Sequence, residues 1–130
     1  YAEKLAVNSY SCPNAASQHA GIAALEGPQD QVGEMLAAFD ERRKAVVEGL
    51  NAIPGITCVE PKGAFYAFPN VQETGFDTRD LQQRLLEETG VALVAGTSFG
   101  ALGEGYLRVS YANSLENVNE AVSRINDFLT

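Results

Sequence analysis

Between residues 32 and 53 the apolar side chains Val32, Met35, Leu36, Phe39, Val46, Leu50 and Ile53 recur at steps of three, four and seven. That spacing predicts one long amphipathic helix, with the charged run DERRK (40–44) outward and Pro54-Gly55 as its stop. Upstream, NAASQHAGIAALEG (14–27) predicts a second helix ended by Gly27-Pro28, whose small side chains suit close packing. The pattern then changes. Residues 56–59 and 64–68 read as two short β-segments parted by Pro61-Lys62-Gly63. Asp77 opens another helix, with Asp80 in the capping-box position, Leu81, Leu85 and Leu86 as its apolar side, and Gly90 as its end. Residues 91–95 and 106–112 read as strands, and Asn113, with Glu116 three residues on, caps a last helix. Leu115, Val118, Val122, Ile125 and Leu129 form the core stripe of that helix.

Helices interleaved with a few strands predict an α+β fold, a small sheet packed against helices. The strands 91–95 and 106–112 suit a hairpin, but the ten residues between them exceed the usual two to five. A loop of that length, carrying four glycines, points to function.

Composition narrows the field. With 45% hydrophobic and 20% charged residues in a chain of 130, the protein matches one globular domain rather than a disordered segment. A formal charge of −8 argues against a nucleic-acid surface, which requires a basic face. Cys12 and Cys58 are too few and too far apart for a disulfide framework or a metal site, and read as small core hydrophobes. No apolar run approaches the ~20 residues of a membrane span, and no signal-peptide pattern is visible, which points to the cytoplasm. The chain opens at Tyr1 in mid-pattern, as expected of a cut inside a longer protein.

Most catalytic constellations fail. A nucleophile triad would need the single His19, which lies in an Ala-rich helix, and one histidine with two scattered cysteines makes no metal set. The loop reads G-x-x-G-x-G and leads into a strand, so it is neither a dinucleotide fingerprint nor a P-loop. Lysines are scarce, Lys4, Lys44 and Lys62; Lys44 lies on a charged helix face and Lys62 in a turn, so neither resembles the desolvated lysine of Schiff-base chemistry. Arg108 is different. Alternation puts Tyr106, Arg108 and Ser110 on one strand face, and a guanidinium there suits a small carboxylate received in bidentate fashion. An arginine that pairs with one of the 17 acidic residues, or closes a helix end, fits the same residues. Phe65, Tyr66 and Phe68 form an aromatic patch that reads first as core packing.

The segments PGITCVEPKGAFYAFPNV and LLEETGVALVAGTSFGALGEGYLRVSYANS resemble the C-terminal part of class I/II aminotransferases, fold-type-I pyridoxal-phosphate enzymes of the aspartate aminotransferase kind. NSYSCPNAASQHAGIAALEGPQD resembles the stretch that follows their large cofactor domain. The resemblance implies residues 1–27 as a connecting helical segment and 28–130 as the small domain. It implies Arg108 as the residue that binds the substrate α-carboxylate, Gly63 and Phe65 at the mouth of the substrate pocket, and Ser11 near the cofactor across a homodimer. It implies pyridoxal 5'-phosphate as cofactor of the full-length enzyme, with amino acids and 2-oxo acids as substrates. The family's Schiff-base lysine, pyridine-nitrogen aspartate and phosphate-binding residues belong to the large domain, so these 130 residues alone are expected to be inactive. Ala95 stands where many relatives carry proline. Two other classes remain open: a regulatory module that senses an amino acid without catalysis, and a dimerisation domain.

Overall fold

The computed structural model describes residues 1–130, which fold as two compact units, Tyr1–Glu34 and Met35–Thr130. The first holds α1 (Ala2–Tyr10), α2 (Ala15–Glu26) and the opening residues of α3 (Asp30–Asn51). The Asn14 side chain accepts the Ser17 N–H at 2.8 Å and starts α2, and the Gly27 N–H closes it on the Ala23 carbonyl at 3.0 Å. No residue of α1 or α2 is buried by the rest of these 130 residues. The apolar residues of α2 are spread around its circumference instead of forming one stripe. Cys12 is exposed, against the expectation of a core position; Cys58 is buried, and burial pushes its thiol pKa up.

The second unit carries the core. α3 supplies Val46 and Leu50, and Ile53 follows at its end. Met35 and Leu36, on the same predicted stripe, stay exposed, because the core reaches along the helix only as far as Phe39. α4 (Thr78–Arg84) starts at Asp77, whose carboxylate accepts the N–H groups of Arg79 and Asp80 at 2.9 and 3.0 Å. It continues as one wide π turn over Leu85–Thr89, ended by Gly90 at φ 73°. Leu81 and Leu85 are fully buried, each worth about 1.5–3 kcal/mol of apolar transfer. Leu86, expected beside them, is exposed.

Three strands, β1 (Tyr66–Ala67), β2 (Val94–Ala95) and β3 (Leu107–Ser110), pair antiparallel in the order β1-β3-β2. Tyr66 lies opposite Ser110 and Ala67 opposite Val109; on the other side Val94 faces Arg108 and Ala95 faces Leu107. The hairpin of β2 and β3 is therefore formed, and the α+β class holds. The strands are shorter than the sequence predicts, for local reasons. Residues 56–59 form a single bridge, Thr57 to Asn70, because the Asn51 side chain takes both the N–H and the carbonyl of Cys58 at 2.8 and 2.9 Å. The Val91 N–H is spent on the Leu85 carbonyl, so pairing in that segment begins only at Val94.

α5 (Leu115–Leu129) packs Val118 and Ile125 into the core. Its cap is Ser114, not Asn113: the serine hydroxyl accepts the Asn117 N–H at 3.1 Å, while Asn113 turns back to accept the Ser114 N–H at 2.8 Å. No helix is long and apolar enough to cross a membrane.

Candidate functional site

β3 alternates as its sequence predicts: Leu107, Val109 and Tyr111 face the core, and Tyr106, Arg108 and Ser110 face outward. Arg108 therefore sits on the central strand, partly buried, and not on an edge. Its Cζ lies 4.5 Å from the ring centroid of Tyr66, on β1, and 4.6 Å from that of Phe99, in the glycine loop. Two aromatic faces hold the guanidinium by cation–π attraction, about 0.5–1 kcal/mol each at a half-exposed site. None of the ion pairs in the chain involves Arg108. Within these 130 residues, the reading in which it pairs with an acidic residue finds no partner.

The aromatic setting extends sideways. Phe68 stacks on Tyr106 with centroids 5.3 Å apart and meets Phe99 edge-on at 6.4 Å. The patch is not core packing, since Phe65, Tyr66 and Phe68 all stay exposed; Tyr66 and Phe68 are the members that share the arginine's side. Phe99 is the residue that sequence reasoning missed. A lone aromatic inside a glycine-rich loop was the available signal, because such a loop brings whatever it carries close to backbone.

The loop 96–105 is built, not slack. It runs as two short 3₁₀ turns, Gly96–Phe99 and Ala101–Gly103, and its feet meet where the Gly96 N–H donates to the Tyr106 carbonyl at 2.7 Å. Gly96 and Gly103 cross face to face; a Cβ on Gly103 would stand 2.0 Å from the Gly96 carbonyl oxygen. The glycines serve this crossing, a close approach of backbone to backbone.

The other predicted residues are placed as follows. Phe65 stacks on Phe39 with ring centroids 6.1 Å apart, and its centroid lies 4.5 Å from that of Tyr66, so it neighbours Arg108 only indirectly. Gly63 lies in a turn that lines a separate concavity with Phe39, Arg43, Glu60 and Tyr111. The strained backbone is one residue on: Ala64 has φ 58°, held by the Tyr111 hydroxyl, which donates to the Ala64 carbonyl at 3.0 Å. Ser11 ends α1, exposed, at φ 60°. Beside Gly63, Arg43 donates to Asp40 at 2.7 Å and to Glu60. Hydrogen bonds from Lys44 and then Arg43 hold the Asp40 carboxyl below the usual range, and those from Lys62 and Arg43 do the same for Glu60.

A Schiff-base lysine must be desolvated, so that its amine is neutral near pH 7. Lys44 and Lys62 are 60% and 82% exposed and paired with Asp40 and Glu60, and Lys4 is exposed on α1. The lysines of this chain do not fit covalent attachment of pyridoxal phosphate.

Comparison with known proteins adds the family. The family model for aminotransferase class I and II matches residues 1–125. An aspartate aminotransferase of Pyrococcus horikoshii is 46% identical over 127 residues, 95% of this chain and 32% of that protein. One of Geobacillus stearothermophilus is also 46% identical, over 96% of this chain and 33% of its own length. The crystal structure of an aromatic aminotransferase from Pyrococcus horikoshii OT3 superposes with a TM-score of 0.91 at 39% identity, covering 97% of this chain and 34% of that one. The chain spans about a third of the length of these relatives. With that family model matching along nearly its whole length, the chain belongs to the class I and II aminotransferase family.

Proposed function

We propose that these residues supply the substrate-carboxylate part of an aminotransferase site, the rest of which lies outside them. The observation that carries the reading is the guanidinium of Arg108, stacked on Tyr66 and Phe99 and engaged by no carboxylate of the chain. Arg108 receives the α-carboxylate of an amino acid or a 2-oxo acid through two parallel N–H···O bonds. A fork fixed by two rings holds the carboxylate plane, and with it the direction of the bonds at Cα; this is an orientation effect. Tyr66, Phe99 and Phe68 displace water around the pair, which strengthens a charge-assisted bond.

On this reading residues 28–130 are the small domain and residues 1–27 the segment joining it to a cofactor domain. Pyridoxal phosphate, when bound by the complete enzyme, supplies the electron sink for amino-group transfer. Gly63 and Phe65 border the substrate entrance, and Ser11 approaches the cofactor from the partner protomer of a homodimer, in the cytoplasm. These 130 residues alone are inactive.

The test compares an amino acid with the amine that lacks its carboxylate, in an aminotransferase carrying these 130 residues. The amino acid is expected to react at a far higher kcat/KM, and Arg108→Met to remove most of that preference. Equal use of the two substrates by the unmodified enzyme would defeat the assignment. Calorimetric titration of the 130-residue chain addresses the sensor reading: micromolar binding of an amino acid would favour a regulatory module over a half-site.

A further inference from the structure

Thr78 is the one buried polar side chain of the molecule, 2% exposed, at the first position of α4. The helix does not need its hydroxyl, because Asp77 already accepts the free N–H groups of the first turn. That hydroxyl instead donates to Glu104 Oε1 at 2.9 Å and accepts the Gly105 N–H at 3.0 Å, twenty-six and twenty-seven residues away. One turn along the helix, Gln82 Oε1 accepts the Ala95 N–H at 2.6 Å, and between them the Arg79 Nε donates to Thr97 Oγ1 at 3.2 Å. α4 thus holds both feet of the glycine loop, residues 95 and 97 on one side and 104 and 105 on the other.

What the loop carries between its feet is Phe99, whose ring lies over Arg108. Gly96 and Gly103 are in close backbone contact, so the two feet form one unit, and where α4 holds that unit sets where the Phe99 ring stands. We propose that Thr78 is a positioning residue for Arg108: by fixing the loop foot at Glu104 and Gly105, it holds Phe99 against the guanidinium and so sets the plane of the fork. The consequence for substrate rests on the carboxylate reading given above. The geometric link from Thr78 to Arg108 does not.

The test is a nuclear magnetic resonance comparison on the full chain. The Arg108 Nε–H signal is assigned by its disappearance in Arg108→Lys. A proton over an aromatic face resonates upfield, and Phe99→Ala shows how much of that displacement Phe99 provides. Thr78→Val keeps the shape of the side chain and removes both hydrogen bonds. It is expected to move the Arg108 signal toward its position in Phe99→Ala, while Thr78→Ser keeps the parental position. Glu104→Ala changes an exposed residue, leaves the Gly105 N–H paired, and is expected to give a smaller movement in the same direction. It decides the matter should Thr78→Val not fold. In an aminotransferase carrying the sequence, Thr78→Val is expected to raise KM severalfold with a smaller change in kcat.

An Arg108 signal unmoved in both Thr78→Val and Glu104→Ala overturns the proposal, as does Thr78→Ser moving it as far as Thr78→Val. Failure of the carboxylate reading looks different. There the signal moves as described, while Arg108 variants keep parental kinetics.

Discussion

Replacing Arg108 by lysine keeps the charge and removes the fork. In the structure the guanidinium lies over two rings, at 4.5 and 4.6 Å, and is available for two parallel bonds to a carboxylate. A lysine ammonium reaches the same space as a point charge, so it makes one of the two charge-assisted bonds and loses planar stacking. A bond to a charged group contributes about 1.5–3 kcal/mol, and the lost stacking about 0.5–1 kcal/mol. The combined loss is roughly 2–4 kcal/mol of transition-state stabilisation, which at about 1.4 kcal/mol per decade is roughly 30- to 1,000-fold in kcat/KM. The assay is steady-state transamination by an aminotransferase carrying these residues, with thermal unfolding run beside it. Arg108 is partly exposed and makes no ion pair, so the melting temperature should change little. A folded Arg108→Lys enzyme within twofold of the parent would refute the carboxylate role.

Four further outcomes follow from the same structure. Gly103→Ala places a Cβ 2.0 Å from the Gly96 carbonyl oxygen, a backbone atom that cannot step aside, and should cost about 1–3 kcal/mol or more in urea unfolding. Leu85→Ala should cost about 2–5 kcal/mol, and Leu86→Ala, exposed one residue later, within about 0.5 kcal/mol of zero; equal losses would place the π turn wrongly. Ser114→Ala should lower stability by about 1 kcal/mol through the lost cap on α5, and more than Asn113→Ala does. Asp40 and Glu60 titrate lower in the folded chain than in the unfolded one. The stability they contribute is therefore complete above the ordinary carboxylate range and is lost as the pH falls through their folded values. Arg43→Gln should move the carboxyl titrations of both residues upward toward that range, read by carbon-detected resonance. Two unmoved titration curves would show that the Arg43 bridge does not form in solution.

Much of this protein was legible in residue order alone. The 3.6-residue spacing of Val46, Leu50 and Ile53 settled which face of α3 is buried, and two-residue alternation settled that Arg108 leaves β3 away from the core. Gly27, Gly90 and Asp77 stop and start helices by chemistry that acts within a few residues. Only tertiary structure decided the rest, because the deciding partners are distant in sequence. Strand length depended on Asn51 reaching Cys58, and on the Leu85 carbonyl taking the Val91 N–H. Whether Arg108 met an acid or stayed open depended on Tyr66 and Phe99, brought to it by sheet pairing and by a folded loop. Periodicity reports which way a side chain points; what stands there is set by elements that the same periodicity cannot register against one another.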